Sequence, residues 1–177
     1  MGIQSLTREE ILELLAEAKR HSDRDWMMIL IAFAHGLRAS EVTQLTPKHL
    51  SGGFLTVQRL KGSMKTSQPL QWNENPLLNE LNIVDFASML GSSERLFPIC
   101  RQTFWRAIQR HAKAIELPPQ KRNTKMLKHS IAMQTIKLAG IENVRQFLGH
   151  KSLSSTGAYL KVTDDEAARA VASALAD

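Results

Sequence analysis

Residues 148–162 read Leu-Gly-His-Lys-Ser-Leu-Ser-Ser-Thr-Gly-Ala-Tyr-Leu-Lys-Val, and the other parts of the chain gain their meaning from this stretch. It holds the only tyrosine of the protein, Tyr159, nine positions after His150. A phenol is a poor nucleophile near neutral pH because its ordinary pKa is about 10. Neighbouring cations can favour a phenolate or a charged transition state. Taken alone, the stretch predicts either an activated tyrosine or an ordinary half-buried one on a C-terminal helix.

Composition limits the classes of protein to consider. The chain has 177 residues, 43% of them hydrophobic, which suits a single folded domain spanning residues 1–177. The longest apolar run, Trp26 to Ala34, is far shorter than the roughly 20 residues that a membrane span needs. The polar start is not typical of a signal peptide. A single cysteine, Cys100, excludes an internal disulfide framework and favours a reducing, cytoplasmic location.

The positive charge is concentrated in one part of the chain. The net charge is +6, and residues 101–151 contain eleven Lys or Arg residues against two acids, Glu116 and Glu142. Residues 7–17 and 162–177 are rich in acids instead. A basic segment between acidic ends indicates a surface for a polyanion, most simply the phosphates of a nucleic acid. The alternative is a solvated basic surface without a partner.

The hydrophobic pattern predicts a mainly α fold, of the α+β class, with a small antiparallel β-hairpin. Helices are expected at 6–21, where Thr7 and Glu10 form a capping box, and at 25–35, 40–45 and 77–90. Further helices are expected at 102–115, 125–138, 141–148 and 164–175, with a helix start at 152–156. Two strands, 54–60 and 66–72, are joined by a turn that carries Lys61 and Lys65.

Five separated pieces occur in one order along the chain: residues 35–42 (His-Gly-Leu-Arg-Ala-Ser-Glu-Val), Lys61, residues 125–130 (Lys-Met-Leu-Lys-His-Ser), residues 148–150 and Tyr159. Together they resemble the catalytic domain of the tyrosine recombinases, the phage integrase family. The stretch from His35 through the hairpin is most similar to the small recombinases of fimbrial phase variation. The resemblance covers nearly the whole chain and implies that family's helical fold.

The resemblance implies a covalent reaction on double-stranded DNA. Tyr159 would attack the scissile phosphodiester and form a 3′-phosphotyrosyl link with a free 5′-hydroxyl, without a metal or other cofactor. Arg38 would hold non-bridging phosphate oxygens, because a guanidinium binds two oxygens at once. Glu41 would orient Arg38 or its neighbours, or is simply an exposed helix acid.

Two further roles follow from the resemblance. The leaving 5′-oxygen must be protonated, and Lys61 occupies the matching hairpin position, with Lys65 as the alternative. His150 would bind a non-bridging oxygen or assist Tyr159. Its alternative role is a buried histidine that caps a backbone group.

One departure from the family pattern concerns the charge at the phosphate. The family usually reads His-x-x-Arg where this chain has Lys125 and Lys128. Lys128 keeps the positive charge but loses the planar bidentate grip of arginine. Three alternatives follow. In the first, Lys128 works with reduced efficiency, and in the second, Arg122 or another basic residue nearby supplies the missing guanidinium. In the third alternative the protein binds DNA and cuts it poorly. His129 is interpreted as a packed helix histidine rather than a catalyst.

The sequence also predicts which residues contact DNA and how the protein assembles, and it leaves other functions open. Five basic residues are predicted to contact DNA: Arg106, Arg110, Lys121, Arg122 and Lys151. The helix at 164–175 would pack in cis or support a tetramer on DNA, and no membrane contact is expected. Most relatives carry an N-terminal helical domain, so the chain reads as an isolated catalytic domain or a minimal recombinase. The rivals are a type IB topoisomerase, a non-catalytic DNA-binding regulator on the same fold, and a basic protein that binds RNA or another protein.

Overall fold

The computed structural model describes residues 4–159 and 171–173, so the helix predicted at 164–175 falls almost entirely outside the described residues. The predicted class is confirmed: most elements are helices, and they accompany one small antiparallel sheet. The helices are α1 (Arg8–His21), α2 (Asp23–Ala34), α3 (Ala39–Val42), α4 (Leu81–Ser88), α5 (Arg101–Ala114), α6 (Lys125–Leu148) and α7 (Ser154–Gly157). The strands are β1 (Leu50–Ser51), β2 (Phe54–Gln58) and β3 (Lys65–Pro69). Short 3₁₀ turns occupy Pro47–His49, Pro76–Leu78 and Pro119–Lys121.

The first two helices form as their local signals predict. The Thr7 hydroxyl accepts from the amide of Glu10 at 3.2 Å, and the Glu10 carboxylate accepts from the amide of Thr7 at 2.8 Å. This reciprocal cap satisfies two amide donors that the first turn of a helix leaves unpaired. The apolar stripe of α1 is buried, and nearly all of α2 is buried beside it. Burial on every side explains why α2 is apolar all round.

The sheet has the order β1-β2-β3, with both pairs antiparallel. Leu55 and Val57 of β2 and Thr66 and Gln68 of β3 face inward, as the two-residue period of a strand requires. The predicted strands were two residues or more too long at their C-terminal ends, because Pro69 ends the pairing of β3 and the chain turns away after Gln58. β1 was not predicted.

Helix α6 consists of two helical halves on either side of a break. Gly140 has φ 77° and ψ 163°, a conformation that only glycine adopts readily. The predicted stop at Ala139-Gly140 is therefore confirmed, although the two halves follow one another without a loop. The first half carries Lys125 and Lys128, and the second leads into His150.

Two apolar clusters hold these elements together. The larger one joins α1, α2, α5 and the start of α6, and its largest side chains include Trp26, Phe97 and Phe104. The smaller one is built from both halves of α6 and from Tyr159; its buried members are Ala132, Ile136, Val144, Leu148 and Tyr159. Tyr159 is thus placed by packing against α6. Within the described residues, no helix is both long and apolar enough to cross a membrane.

Candidate active site

An open cleft with a volume of about 910 Å³ collects the side chains that the sequence singled out. Its walls are the turn before α3, the hairpin tip, the first turn of α5, the first turns of α6, and the segment from His150 to Tyr159. All six residues predicted to be catalytic line it: Arg38, Lys61, Lys125, Lys128, His150 and Tyr159. Residues separated by up to 121 positions along the chain therefore face one space, and most of them are cationic.

Arg38 is held at the rim of the cleft by Glu41. The Arg38 amide and one guanidinium nitrogen donate to the Glu41 carboxylate at 2.7 and 3.0 Å. The Leu60 amide donates to the same carboxylate at 2.9 Å, which ties the hairpin to the turn. Burial alone would raise the pKa of Glu41, but the Arg38 and Leu60 amides and the charges of Arg59 and Arg38 outweigh it and hold that pKa below its usual value. Glu41 is 3% exposed rather than an exposed helix acid.

Arg59 is a candidate functional residue to which the sequence analysis assigned no role. Its guanidinium is buried and donates to the carbonyls of His35 at 2.7 Å and Gly36 at 3.2 Å. It also donates to the Thr66 hydroxyl at 2.7 Å and reaches the Phe147 carbonyl at 3.4 Å. Arg59 therefore ties the hairpin both to the segment before Arg38 and to the segment before His150. The signal was present, since the two-residue period of Leu55 and Val57 continues inward to position 59.

Of the two hairpin lysines, Lys61 is the one that lines the cleft. It lies at the turn with φ 57° and an exposed side chain. Lys65 begins β3, where it pairs with Gln58, and it borders a separate depression of about 410 Å³.

Lys128 lies deep in the cleft wall and is 8% exposed. Among the described residues its Nζ has no hydrogen-bond partner. Burial, followed by the charges of Arg38 and Arg59, lowers the pKa of Lys128 to about 7. A neutral amine would have no charge to offer a phosphate, so Lys128 differs from an arginine in more than geometry. Arg122 does not line the cleft, and its Nε donates to the Leu117 carbonyl instead.

His150 follows a left-handed turn at Gly149, where φ is 69°. A Cβ at Gly149 would lie 2.9 Å from Arg59 Cγ and 3.0 Å from the Met64 carbonyl oxygen, so only glycine fits this close approach. His150 Nδ1 is 2.9 Å from the Thr156 hydroxyl. Burial and the charge of Lys128 lower the pKa of His150 to about 4, so the imidazole is neutral near pH 7.

Tyr159 is 6% exposed, and its hydroxyl lies 2.9 Å from Nδ1 of His129. Burial raises the pKa of Tyr159, while the charge of Arg38 acts in the opposite direction. Burial and the charges of Lys128 and Lys125 lower the pKa of His129. His129 is a half-buried histidine of helix α6, as interpreted, and it also lines the cleft, which the sequence analysis did not predict. The available signal was its position one helical turn after Lys125.

The five predicted DNA contacts are divided between the cleft and the outer surface. Lys151 lines the cleft, whereas Arg106 lies on the exposed face of α5. The other three have protein partners: Arg110 contacts Asp25 at 2.6 Å, Lys121 contacts Glu10 at 2.7 Å, and Arg122 binds the Leu117 carbonyl. Arg101, Gln102 and Trp105 of α5 line the cleft although the sequence reasoning assigned them no role.

Comparison with known proteins gives concordant matches. The sequence model of the phage integrase family matches residues 4–166. Tyrosine recombinase XerA of Pyrococcus furiosus is 29% identical over 176 residues, which cover 90% of this chain and 58% of XerA. Type 1 fimbriae regulatory protein FimB of Escherichia coli K12 is 28% identical over 170 residues, which cover 87% of this chain and 82% of FimB. The chain thus spans a little over half the length of XerA.

A solved structure gives the same fold. The crystal structure of a lambda integrase tetramer bound to a Holliday junction superposes with a TM-score of 0.68 and 21% sequence identity. The superposition covers 84% of this chain and 47% of the integrase chain. At this identity the match establishes the fold.

Proposed function

The chain belongs to the phage integrase family, and we propose that it is the catalytic domain of a site-specific DNA recombinase. It cleaves and rejoins double-stranded DNA through a covalent 3′-phosphotyrosine. The observation that carries this proposal is the convergence of the family's ordered residues on one cationic cleft, with Tyr159 on its wall. The curated relatives named tyrosine recombinase support the same reaction class.

Each side chain of the cleft has a task in this reaction. Tyr159 attacks phosphorus, and the charge that gathers on the non-bridging oxygens faces Arg38, whose guanidinium Glu41 already orients. Lys61, on the exposed hairpin tip, protonates the leaving 5′-oxygen. His150 is neutral and shares its Nδ1 with Thr156, so its Nε2 remains for a phosphate oxygen. Lys125 and Lys151 add positive charge along the DNA path.

In the free protein Lys128 is only partly cationic near pH 7, and it loses its charge above that pH. Its pKa of about 7 in the free protein results from burial beside two guanidinium groups. A DNA phosphate in the cleft supplies negative charge and raises that pKa again, so that DNA binding near pH 8 is accompanied by proton uptake. This state of Lys128 favours a second candidate function, a DNA-binding regulator that cleaves slowly.

Assembly and domain organisation follow the proposed family role. We expect several protomers to act together on DNA, as strand exchange joins two duplexes. The tetrameric lambda integrase on a Holliday junction supports a tetramer for this chain. The matched region covers only 58% of XerA, so any further domain of the whole protein is part of the proposal and not a finding.

A covalent trapping assay tests the function without knowledge of the target sequence. The protein is incubated with a pool of nicked duplexes whose arms are randomised, because a nick near the cleavage position lets a short product diffuse away and traps the adduct. Protein-linked DNA is recovered under denaturing conditions and sequenced. Wild type should give an adduct with a defined sequence, and Tyr159→Phe should give none.

The outcomes separate the candidates. An adduct in Tyr159→Phe, or no adduct from wild type across the pool, refutes the recombinase. Sequence-specific retention of DNA by wild type without an adduct identifies the regulator. Lys113→Gln serves as a matched control at an exposed position of α5: its adduct yield should stay near that of wild type.

A further inference from the structure

We propose that His129 is the proton acceptor for Tyr159, and that its Nδ1 takes the phenolic proton while the phenol oxygen attacks phosphorus. The inference rests on the proposed function and adds a residue to it. It assigns to His129 the part of the reaction that Arg38, Lys61 and His150 leave open, because those groups face the phosphate or the leaving oxygen.

One imidazole nitrogen of His129 lies within hydrogen-bond distance of the phenol oxygen that would attack phosphorus. Nδ1 of His129 and the Tyr159 hydroxyl are 2.9 Å apart, within the range in which proton transfer occurs directly. The two rings are tilted by 53° with centroids 5.5 Å apart, so the contact is made edge to edge rather than by stacking. His150 is committed to Thr156 through its own Nδ1. In the described part of the chain, no other side chain makes a hydrogen bond to the Tyr159 hydroxyl.

Burial and the charges around His129 keep its imidazole unprotonated near pH 7, so that one ring nitrogen is available to accept a proton. Burial, Lys128 and Lys125 lower the pKa of His129 below its ordinary value of 6.5, so the ring is neutral near pH 7. A neutral imidazole carries one N–H and one acceptor nitrogen. Burial raises the pKa of Tyr159, which makes ionisation before attack costly. Transfer during the attack avoids that cost, since the proton leaves as the P–O bond forms.

The same charges make the step reversible, as strand exchange requires. On cleavage, the Tyr159 O–H bond breaks, its proton goes to His129 Nδ1, the phenol oxygen bonds to phosphorus, and the bond from phosphorus to the 5′-oxygen breaks. The 5′-oxygen takes a proton from Lys61. On rejoining, the incoming 5′-hydroxyl returns its proton to Lys61 and its oxygen bonds to phosphorus, while the bond from phosphorus to the phenol oxygen breaks and His129 Nδ1 returns its proton to that oxygen. An imidazolium beside Lys128 and Lys125 is disfavoured, which drives this return.

The protonation state of the free protein gives a first test that needs no DNA. Nitrogen NMR of the histidine rings, assigned by comparison with His129→Gln, reports which nitrogen carries the proton. We expect Nδ1 of His129 to be unprotonated at pH 7 and to shift when Tyr159 is replaced by phenylalanine. A proton on Nδ1 at pH 7 would make His129 the donor in the contact and would overturn the proposal.

A kinetic test uses the nicked duplex recovered by trapping, made with oxygen or with sulfur at the 5′-bridging position. A thiolate leaves without protonation, so Lys61→Ala should form adduct at a rate near wild type on the sulfur duplex only. His129→Gln keeps a neutral hydrogen-bonding side chain but cannot accept the proton. Its adduct formation at pH 7 should fall about 100-fold on both duplexes and rise with pH.

A matched control and clear outcomes complete the design. His21→Gln replaces a half-exposed histidine of α1 that pairs with Glu17, and it should match wild type on both duplexes. Thermal unfolding and DNA retention show that the variants remain folded. His129→Gln at the wild-type rate, faster than wild type, or rescued by sulfur overturns the assignment of His129 alone. Failure of wild type to form any adduct overturns the proposed recombinase function instead.

Discussion

Replacing Lys128 with methionine should stabilise the free protein at neutral pH and remove part of its pH dependence. The ammonium of Lys128 is buried beside Arg38 and Arg59, and among the described residues it has no hydrogen-bond partner. A methionine side chain has a similar length and no charge to desolvate. The substitution therefore removes the penalty of a buried, unpaired charge.

The size of the effect follows from the pKa. Lowering the pKa of Lys128 from 10.5 to about 7 corresponds to about 5 kcal/mol, since one pKa unit is about 1.4 kcal/mol. Below pH 7 both the folded and the unfolded protein carry the proton, and the folded protein bears the whole penalty. Between pH 7 and pH 10.5 only the unfolded protein keeps it, so the unfolding free energy of wild type rises with pH. Above pH 10.5 the penalty is gone.

Denaturant unfolding followed by tryptophan fluorescence measures this directly. Lys128→Met should exceed wild type in unfolding free energy by about 5 kcal/mol at pH 6 and by about 1 kcal/mol at pH 10. Lys113→Met, at an exposed position of α5, should leave the pH dependence of wild type in place. A gap between Lys128→Met and wild type that stays constant over this pH range would refute the argument, because only a titrating buried amine makes the gap close.

Three further changes test the rest of the site. Lys128→Arg should raise the yield of trapped adduct, because a guanidinium stays charged and grips two phosphate oxygens; loss of the adduct would remove Lys128 from the catalytic group. Arg59→Met should cost about 3 kcal/mol by uncoupling the hairpin from Glu41, and adding Glu41→Gln should recover part of that loss in a double-mutant cycle; strictly additive losses would contradict the coupling. Gly149→Ala should lower the unfolding free energy by about 2 kcal/mol more than Gly62→Ala, since both have positive φ but only position 149 is crowded; equal losses would exclude the close approach.

Much of the fold could be predicted because its signals are local. Thr7 and Glu10 fix the start of α1, and Gly140 marks the break in α6 through a conformation that other residues avoid. β1 was missed because a two-residue strand has no period to detect. Its only signal was Gly52-Gly53, which forms the tight turn that lets Ser51 pair with Phe54.

The sequence predicted that Arg38, Lys61 and Tyr159 act together, and all three line the cleft. It could not predict how deeply each side chain is buried, because burial depends on how distant elements pack. The depth of Lys128 in the cleft wall and the contact of His129 with Tyr159 both arise from tertiary packing, the latter from the apolar cluster that seats Tyr159 on α6. No spacing rule contains that information. For Arg59, the period of strand β2 predicts that the side chain points inward, but it does not predict the five hydrogen-bond acceptors that the side chain finds there.

The backbone break at Gly140 limits which substitutions the protein can accept at this position during evolution. Apart from its chain neighbours and the adjacent helix backbone, no atom of the described residues lies within 4 Å of a Cβ at position 140, so the site looks free to accept any residue. Its backbone conformation nevertheless admits only glycine without strain. Position 140 therefore has room for a side chain, but its backbone conformation disfavours every residue except glycine. Tolerance to substitution here should be set by the backbone rather than by contacts, and a mutational scan that ranks positions by exposure alone would misjudge it.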